Sequence, residues 1–284
     1  MINVKKHVMN IEKNGYTIVR NGIDIELVNK VVSDFKVWCS NPDNNVKSTK
    51  DKIINFHIYN DNTLDLVTNK HTNKILTSLF NEEQVVYSSI FLREGTQQQY
   101  TRNTPHFYTN PIDKYYGVFY ALEDIDIKSG PLKYYIGSHK LNTVDGHEIF
   151  NSLYNETDDV NLNNDYRCFI KYDEKLINNC KELNLIEMNE KNYKKLYKGD
   201  IFIWHPKLVH GGSNILDTSL TQYGMITHNI PKNTAVFDAS HYFSKMPTEK
   251  YLKNECVFDY INYKNINIVD HKIGPIVQTI FVNE

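Results

Sequence analysis

No stretch of about 18 consecutive apolar residues occurs in this sequence, so no helix able to cross a bilayer is expected. The opening MINVKKHVMNIEKNG interrupts its apolar residues with charge too often to form the core of a signal peptide. Neither charge is in excess: 32 basic residues face 34 acidic ones, a formal balance of -2. A nucleic-acid binder needs a basic surplus to neutralise phosphates, so that class of partner is set aside. Cysteine is scarce and scattered. Cys39, Cys168, Cys180 and Cys256 form no C-x-x-C pair and no disulfide-like cluster, which suits free, mostly buried thiols in a reducing compartment. These absences describe a cytoplasmic protein whose partner is a small polar molecule rather than a membrane or a nucleic acid.

What is present is a long supply of short, aromatic and β-branched segments. After Gly15, residues 16–21 (YTIVRN) read as a strand. A helix follows, capped by Asp24 and bearing Leu27, Val28, Val31, Val32, Phe35 and Trp38 on one face, and it should stop near Asn41 and Pro42. A second helical stretch spans residues 63–80, and further strands are expected within 85–94, 115–125, 131–138, 199–212 and 223–230. A long polar insertion separates the third and fourth of these, with one amphipathic helix whose shared face holds Leu176, Ile177, Cys180 and Leu183. Insertions of that length often build lids over sites. With no repeat and no low-complexity linker, 284 residues are read as one domain: a mainly helical part at 1–83, a β core at 84–230 interrupted at 140–197, and a C-terminal extension at 231–284 without an interpretable motif. Many short punctuated strands indicate a sandwich or barrel.

Three segments sharpen that reading. ALEDIDIKSGPLKYYIGSHK (121–140), KGDIFIWHPKLVHGGS (198–213) and, more weakly, NGYTIVRNGIDIELVNKV (14–31) together resemble the phytanoyl-CoA dioxygenase family, a branch of the iron(II)/2-oxoglutarate-dependent oxygenases. Ile136 stands where the family's P-G-S-H-K motif has its proline. The resemblance implies a mainly β fold, the double-stranded β-helix or cupin-like jelly roll, with N-terminal and inserted helices. It also implies a site at the open end, where a His-x-Asp pair and a distal histidine hold iron and an arginine grips 2-oxoglutarate. Imidazole gives neutral nitrogen donors, the carboxylate offsets metal charge, and the guanidinium fork pairs with a carboxylate.

Against that pattern most of the site is missing. The family's Q-x-x-H-x-D-T-P corresponds to QQYTRNTP (98–105), which sets Thr101 on the histidine and Asn103 on the aspartate. The family's T-R-x-S-x-V-T-H-Y corresponds to TQYGMITHN (221–229), so Gln222 stands in for the arginine, and His210 alone matches, as the distal histidine. Hydroxyl and carboxamide groups are weak, uncharged donors, so no bound metal or other cofactor is expected. A rebuilt site would take His106-Phe107-Tyr108 as a shifted His-x-Asp opposite His210, five residues out of register. Iron(II) and 2-oxoglutarate belong to that alternative only.

The open end is expected to be lined by Gln97, Gln98, Tyr100, Thr101, Arg102, Asn103, His106, Tyr108, Tyr120, His210, Asn214, Gln222 and His228. Amides, hydroxyls and tyrosine rings suit a sugar-like ligand. Arg102, on the opposite strand face from the lost ligands, is expected in a surface ion pair, with an inward, anion-binding pose as the alternative. His205 and His139 read as structural. Three functions follow: an oxygenase-fold binder or partner without activity, a metal-independent enzyme using His210 or His106 as acid or base, or an active iron(II)/2-oxoglutarate hydroxylase with an atypical metal site. An exposed aromatic patch on a jelly roll would also serve a homo-oligomer.

Overall fold

The computed structural model describes residues 2–155, 160, 165–237, 239–243, 258–272 and 275–278. Cys256 lies outside them. The other three thiols are free, with Cys168 and Cys180 buried and Cys39 half-buried. Among the described residues no helix is long and apolar enough to cross a membrane.

The N-terminal part holds α1 (Val4–Asn14), β1 (Tyr16–Val19), α2 (Ile25–Ser40), β2 (Lys52–Ile54), α3 (Asp61–Val67) and α4 (Lys70–Phe80). Asp24 caps α2 as its sequence suggests, its Oδ1 accepting from the Glu26 amide at 2.7 Å. The helical stretch at 63–80 is two helices instead of one. Asn69 stops the first and starts the second, because its carboxamide accepts from the amides of His71 (2.9 Å) and Thr72 (3.2 Å).

The β core follows: β3 (Gln84–Leu92), β4 (Tyr108–Asn110), β5 (Tyr116–Ala121) and β6 (Leu132–Tyr135), then the insertion helices α5 (Gly146–Asn151) and α6 (Arg167–Glu182), then β7 (Glu187–Met188), β8 (Ile201–Trp204), β9 (His210–Gly212) and β10 (Gly224–Pro231). The C-terminal extension adds β11 (Ala235–Phe237), α7 (Ala239–Phe243), β12 (Tyr260–Tyr263), β13 (Ile266–Val269) and β14 (Ile276–Gln278). The large sheet runs β1-β8-β5-β10-β3-β13-β12, with β2 bridging β3 to β14. A three-stranded sheet, β7-β6-β9, faces it, and β4 pairs with β11 apart from both.

Strand alternation divides the large sheet's two faces. Val118, Tyr120, Ile201, Ile203 and Met225 turn outward into one apolar cluster with Val28, Val31 and Phe35 of α2 and Ile75 and Leu76 of α4. Phe35 stacks on Phe91 with centroids 3.7 Å apart, and full burial of such a side chain contributes about 2–3 kcal/mol. The intervening residues Phe119, Phe202 and Trp204 turn inward to a second cluster with Tyr134 of the small sheet. The insertion packs a third cluster on the other side of the small sheet, where Cys168, Tyr172, Leu176 and Cys180 of α6 meet Tyr135, Val209 and Phe243. Leu183, expected on that helical face, follows the last turn and is exposed.

Gly117 links this packing to the site. It lies opposite Trp204 across β5 and β8, and a Cβ there would stand 2.1 Å from the indole ring. Gly117→Ala therefore displaces Trp204, with an expected loss of roughly 1–3 kcal/mol for overpacking. Urea denaturation followed by tryptophan fluorescence measures it, and an unchanged midpoint would refute the contact.

Candidate functional site

A cavity of about 380 Å³ lies between the two sheets. The large sheet contributes Ile90 and Leu92 of β3, Phe119, Trp204, Ile226 and His228, and the small sheet contributes Leu132, His210, Gly211 and Gly212. The loop before β4 adds Thr96, Gln98, Asn103, His106 and Phe107, while Gln222, Lys52 of β2 and Gln278 of β14 complete the wall. Its volume falls in the range of small-molecule sites, roughly 300–1,000 Å³.

A reciprocal backbone pair joins two of the expected site positions. The Thr101 amide donates to the His210 carbonyl at 2.9 Å, and the His210 amide donates to the Thr101 carbonyl at 3.0 Å. His210 Nδ1 donates to the Leu208 carbonyl at 2.8 Å, which fixes the tautomer and leaves Nε2 as the lone-pair nitrogen. Each of the three substituted positions is tied to the scaffold. Asn103 Oδ1 accepts from the Trp204 indole N–H at 2.9 Å. The Gln222 carboxamide nitrogen donates to the carbonyls of Ser129 (3.1 Å) and Gly130 (2.9 Å), the orientation its acceptor-only surroundings require. Thr101 Oγ1 donates to the Arg102 carbonyl at 3.3 Å and lies 3.5 Å from His106 Nε2.

The histidines are uncharged at neutral pH. Burial lowers His210 to about 4; the His106 ring is exposed at the cavity, yet the protein around it and then the neighbouring His210 and Lys52 lower it to about 4. His106 is accessible from the cavity, and its ring stacks on Phe169 of α6 at 4.7 Å. Burial followed by His210 lowers His228 to about 3, and Ser88 Oγ sits 2.8 Å from its Nδ1.

Several expected lining residues face elsewhere. Tyr120 turns to the helical layer, its hydroxyl 3.4 Å from Thr72 Oγ1, because strand alternation gives the cavity to Phe119 instead. Tyr100 donates to Glu187 at 2.5 Å and packs on Tyr135, outside the cavity. Tyr108 packs against Phe237 and Tyr242, so the shifted His-x-Asp arrangement has no support from its position. Asn214 is exposed, and Gln97 accepts from the Ile215 amide at 3.2 Å. Arg102 is fully buried, so it is not the surface ion pair expected of it. Its guanidinium donates to the carbonyls of Ser138 (2.7 Å), Asn142 (3.3 Å) and Leu141 (3.5 Å), since the insertion covers the strand face that would otherwise meet water. His139 donates to the Glu12 carbonyl at 3.0 Å and stacks near His205, away from the cavity.

Sequence reading passed over four groups here: Lys52, Gln278, Trp204 and Asp173. Asp173 of α6 hydrogen-bonds to Thr101, and its Oδ1 is buried without a partner. Among the described residues no carboxylate lines the cavity, and no three His, Cys, Asp or Glu side chains are grouped to hold a metal. The donor set does not fit the iron site the fold implies.

A mainly β roll of two facing sheets around a central cavity is the fold of non-heme, 2-oxoglutarate-dependent enzymes. The chain superposes on the alpha-ketoglutarate-dependent epimerase SnoN from nogalamycin biosynthesis with a TM-score of 0.63 at 11% identity, covering 94% of this chain and 97% of that one. EctD from S. alaskensis, solved with 2-oxoglutarate and 5-hydroxyectoine, gives 0.61 at 10% identity over 86% and 84% of the two chains. HygX from Streptomyces hygroscopicus, solved with nickel and 2-oxoglutarate, gives 0.54 at 11% over 80% and 86%. Curated proteins offer no sequence match. The chain belongs to the phytanoyl-CoA dioxygenase (PhyH) family, whose model matches residues 11–219.

Burial pushes the Asp173 carboxyl up from 3.8 to about 7, with the Thr101 hydrogen bond pulling the other way. Between those two values the folded chain holds a proton that the unfolded chain releases, so stability falls as pH rises through this window. Asp173→Asn removes that slope. Against the wild type, the variant is expected to match near pH 4 and to be more stable at pH 8 by on the order of a few kcal/mol. Denaturation at both pH values checks this, and a difference independent of pH would exclude the shift.

Proposed function

We propose that this chain uses the oxygenase barrel as a pocket for a small organic molecule, without the family's iron and 2-oxoglutarate chemistry. The donor set carries the reading. Thr101, Asn103 and Gln222 are neutral and spend their hydrogen bonds on the Arg102 carbonyl, the Trp204 indole and the Ser129 and Gly130 carbonyls. One imidazole remains where a two-histidine, one-carboxylate face is needed. The position of the missing arginine carries no charge to grip an oxo acid.

The histidines favour binding over metal-independent turnover. At about 4, His106 and His210 have no proton to give at neutral pH and are weak bases there. Gln98 and Asn103 keep one part of the pocket polar, while Ile90, Leu92, Leu132 and Ile226 make another part apolar. That lining suits a ligand with both characters better than a sugar-like one, for which Tyr100, Tyr108 and Tyr120 would be needed as stacking platforms.

One feature favours the alternative of an active iron oxygenase. His210 donates through Nδ1 to a backbone carbonyl and keeps Nε2 bare, as metal-bound histidines do. It is a single such donor.

Anaerobic titration with ferrous iron, then aerobic assay of succinate from 2-oxoglutarate, tests the proposal. The wild type is expected to show neither saturable micromolar iron binding nor succinate. Thr101→His combined with Asn103→Asp should raise iron affinity at least about tenfold by restoring two donors. Stoichiometric iron binding by the wild type with succinate release would end this reading.

A further inference from the structure

Lys52 and Gln278 are direct partners where β2 meets β14, and both line the cavity. Direct cross-strand partners stand on one face of the sheet with Cβ atoms roughly 5 Å apart. Among the described residues Lys52 is the one cationic side chain in the cavity wall, and no carboxylate accompanies it there. Burial lowers its pKa, with no neighbouring acid among the causes to offset the effect. An ammonium held short of water beside three neutral histidines is an unmatched charge, and such a charge favours an anion. Gln278 adds a neutral N–H donor next to it.

We propose that Lys52 and Gln278 form a two-point clamp for the carboxylate of a small organic monoacid whose apolar body lies against Leu92, Phe119 and Leu132. The inference rests on the reading of the cavity as a ligand pocket and names the chemistry it selects. One carboxylate accepts from both Lys52 Nζ and the Gln278 carboxamide, a charge-assisted pair of bonds. A second carboxylate, as in an oxo diacid, finds no further cation among the described lining residues, and the Gln222 N–H groups already serve Ser129 and Gly130. The clamp therefore prefers monoacids. Its two residues come from opposite ends of the chain, so the ligand would also tie β14 to the wall it completes.

Calorimetric titration of the full-length protein with phenylacetate, its neutral isostere phenylacetamide, and 2-oxoglutarate tests the clamp. Phenylacetate should bind at least about tenfold more tightly than either of the others, the scale expected of a charge-assisted hydrogen bond. Lys52→Gln should abolish that preference, bringing phenylacetate affinity down to that of phenylacetamide, and Gln278→Ala should weaken phenylacetate several-fold. Thermal melts establish that both variants are folded, and Lys52→Arg should retain the preference. Equal affinity for acid and amide, no phenylacetate binding, or indifference to Lys52→Gln would overturn the clamp. Those outcomes leave the metal-free pocket standing, because only iron binding and succinate release by the wild type remove that.

Discussion

The two backbone hydrogen bonds exchanged between Thr101 and His210 organise the site. They hold the loop before β4 against β9, so that Thr101 lies beside His210. Everything polar in the cavity is referred to that pair. Asn103, two residues on, reaches the indole of Trp204, and Arg102 between them is sent to the opposite side. The barrel keeps the family's frame because backbone hydrogen bonds specify it, and these do not depend on which side chains Thr101 and Asn103 carry. Side-chain chemistry can change there while the geometry persists.

Electrostatics separates this cavity from the site the fold implies. An iron centre with an oxo acid needs a carboxylate for the metal and a cation for the acid. Here both charges are absent from their expected positions, and a different cation, Lys52, enters from the N-terminal strand. Asp173 of α6, whose hydrogen bond with Thr101 pulls the other way, has its carboxyl pushed up to about 7 by burial. The result is a pocket whose balance is set by one lysine.

Much of the frame was legible from sequence because it rests on local rules. Asp24 names the start of α2, alternation names the strands, and motif spacing places Thr101, Asn103, His210 and Gln222 around one cavity, where the structure brings them together. Errors arose where one residue of register decides a face. Tyr120 and Phe119 are neighbours, yet the tyrosine meets the helices and the phenylalanine meets the cavity. Lys52 and Gln278 were illegible for another reason: 226 residues separate two side chains that pair directly, and no local pattern records such a contact. Phe169 and Asp173 likewise gain meaning only when α6 docks on the barrel.

Arg102 shows how that docking is secured. The guanidinium is sealed inside, where its two terminal nitrogens donate to three carbonyl oxygens of the turn that begins the insertion. Pairs of full charges at the surface, such as Lys175 with Glu148 between α6 and α5, weaken as ions gather around them. A cation held by peptide dipoles out of reach of solvent has no such weakness. The attachment of the insertion to the barrel is thus indifferent to ionic strength at its root and sensitive to it at its rim.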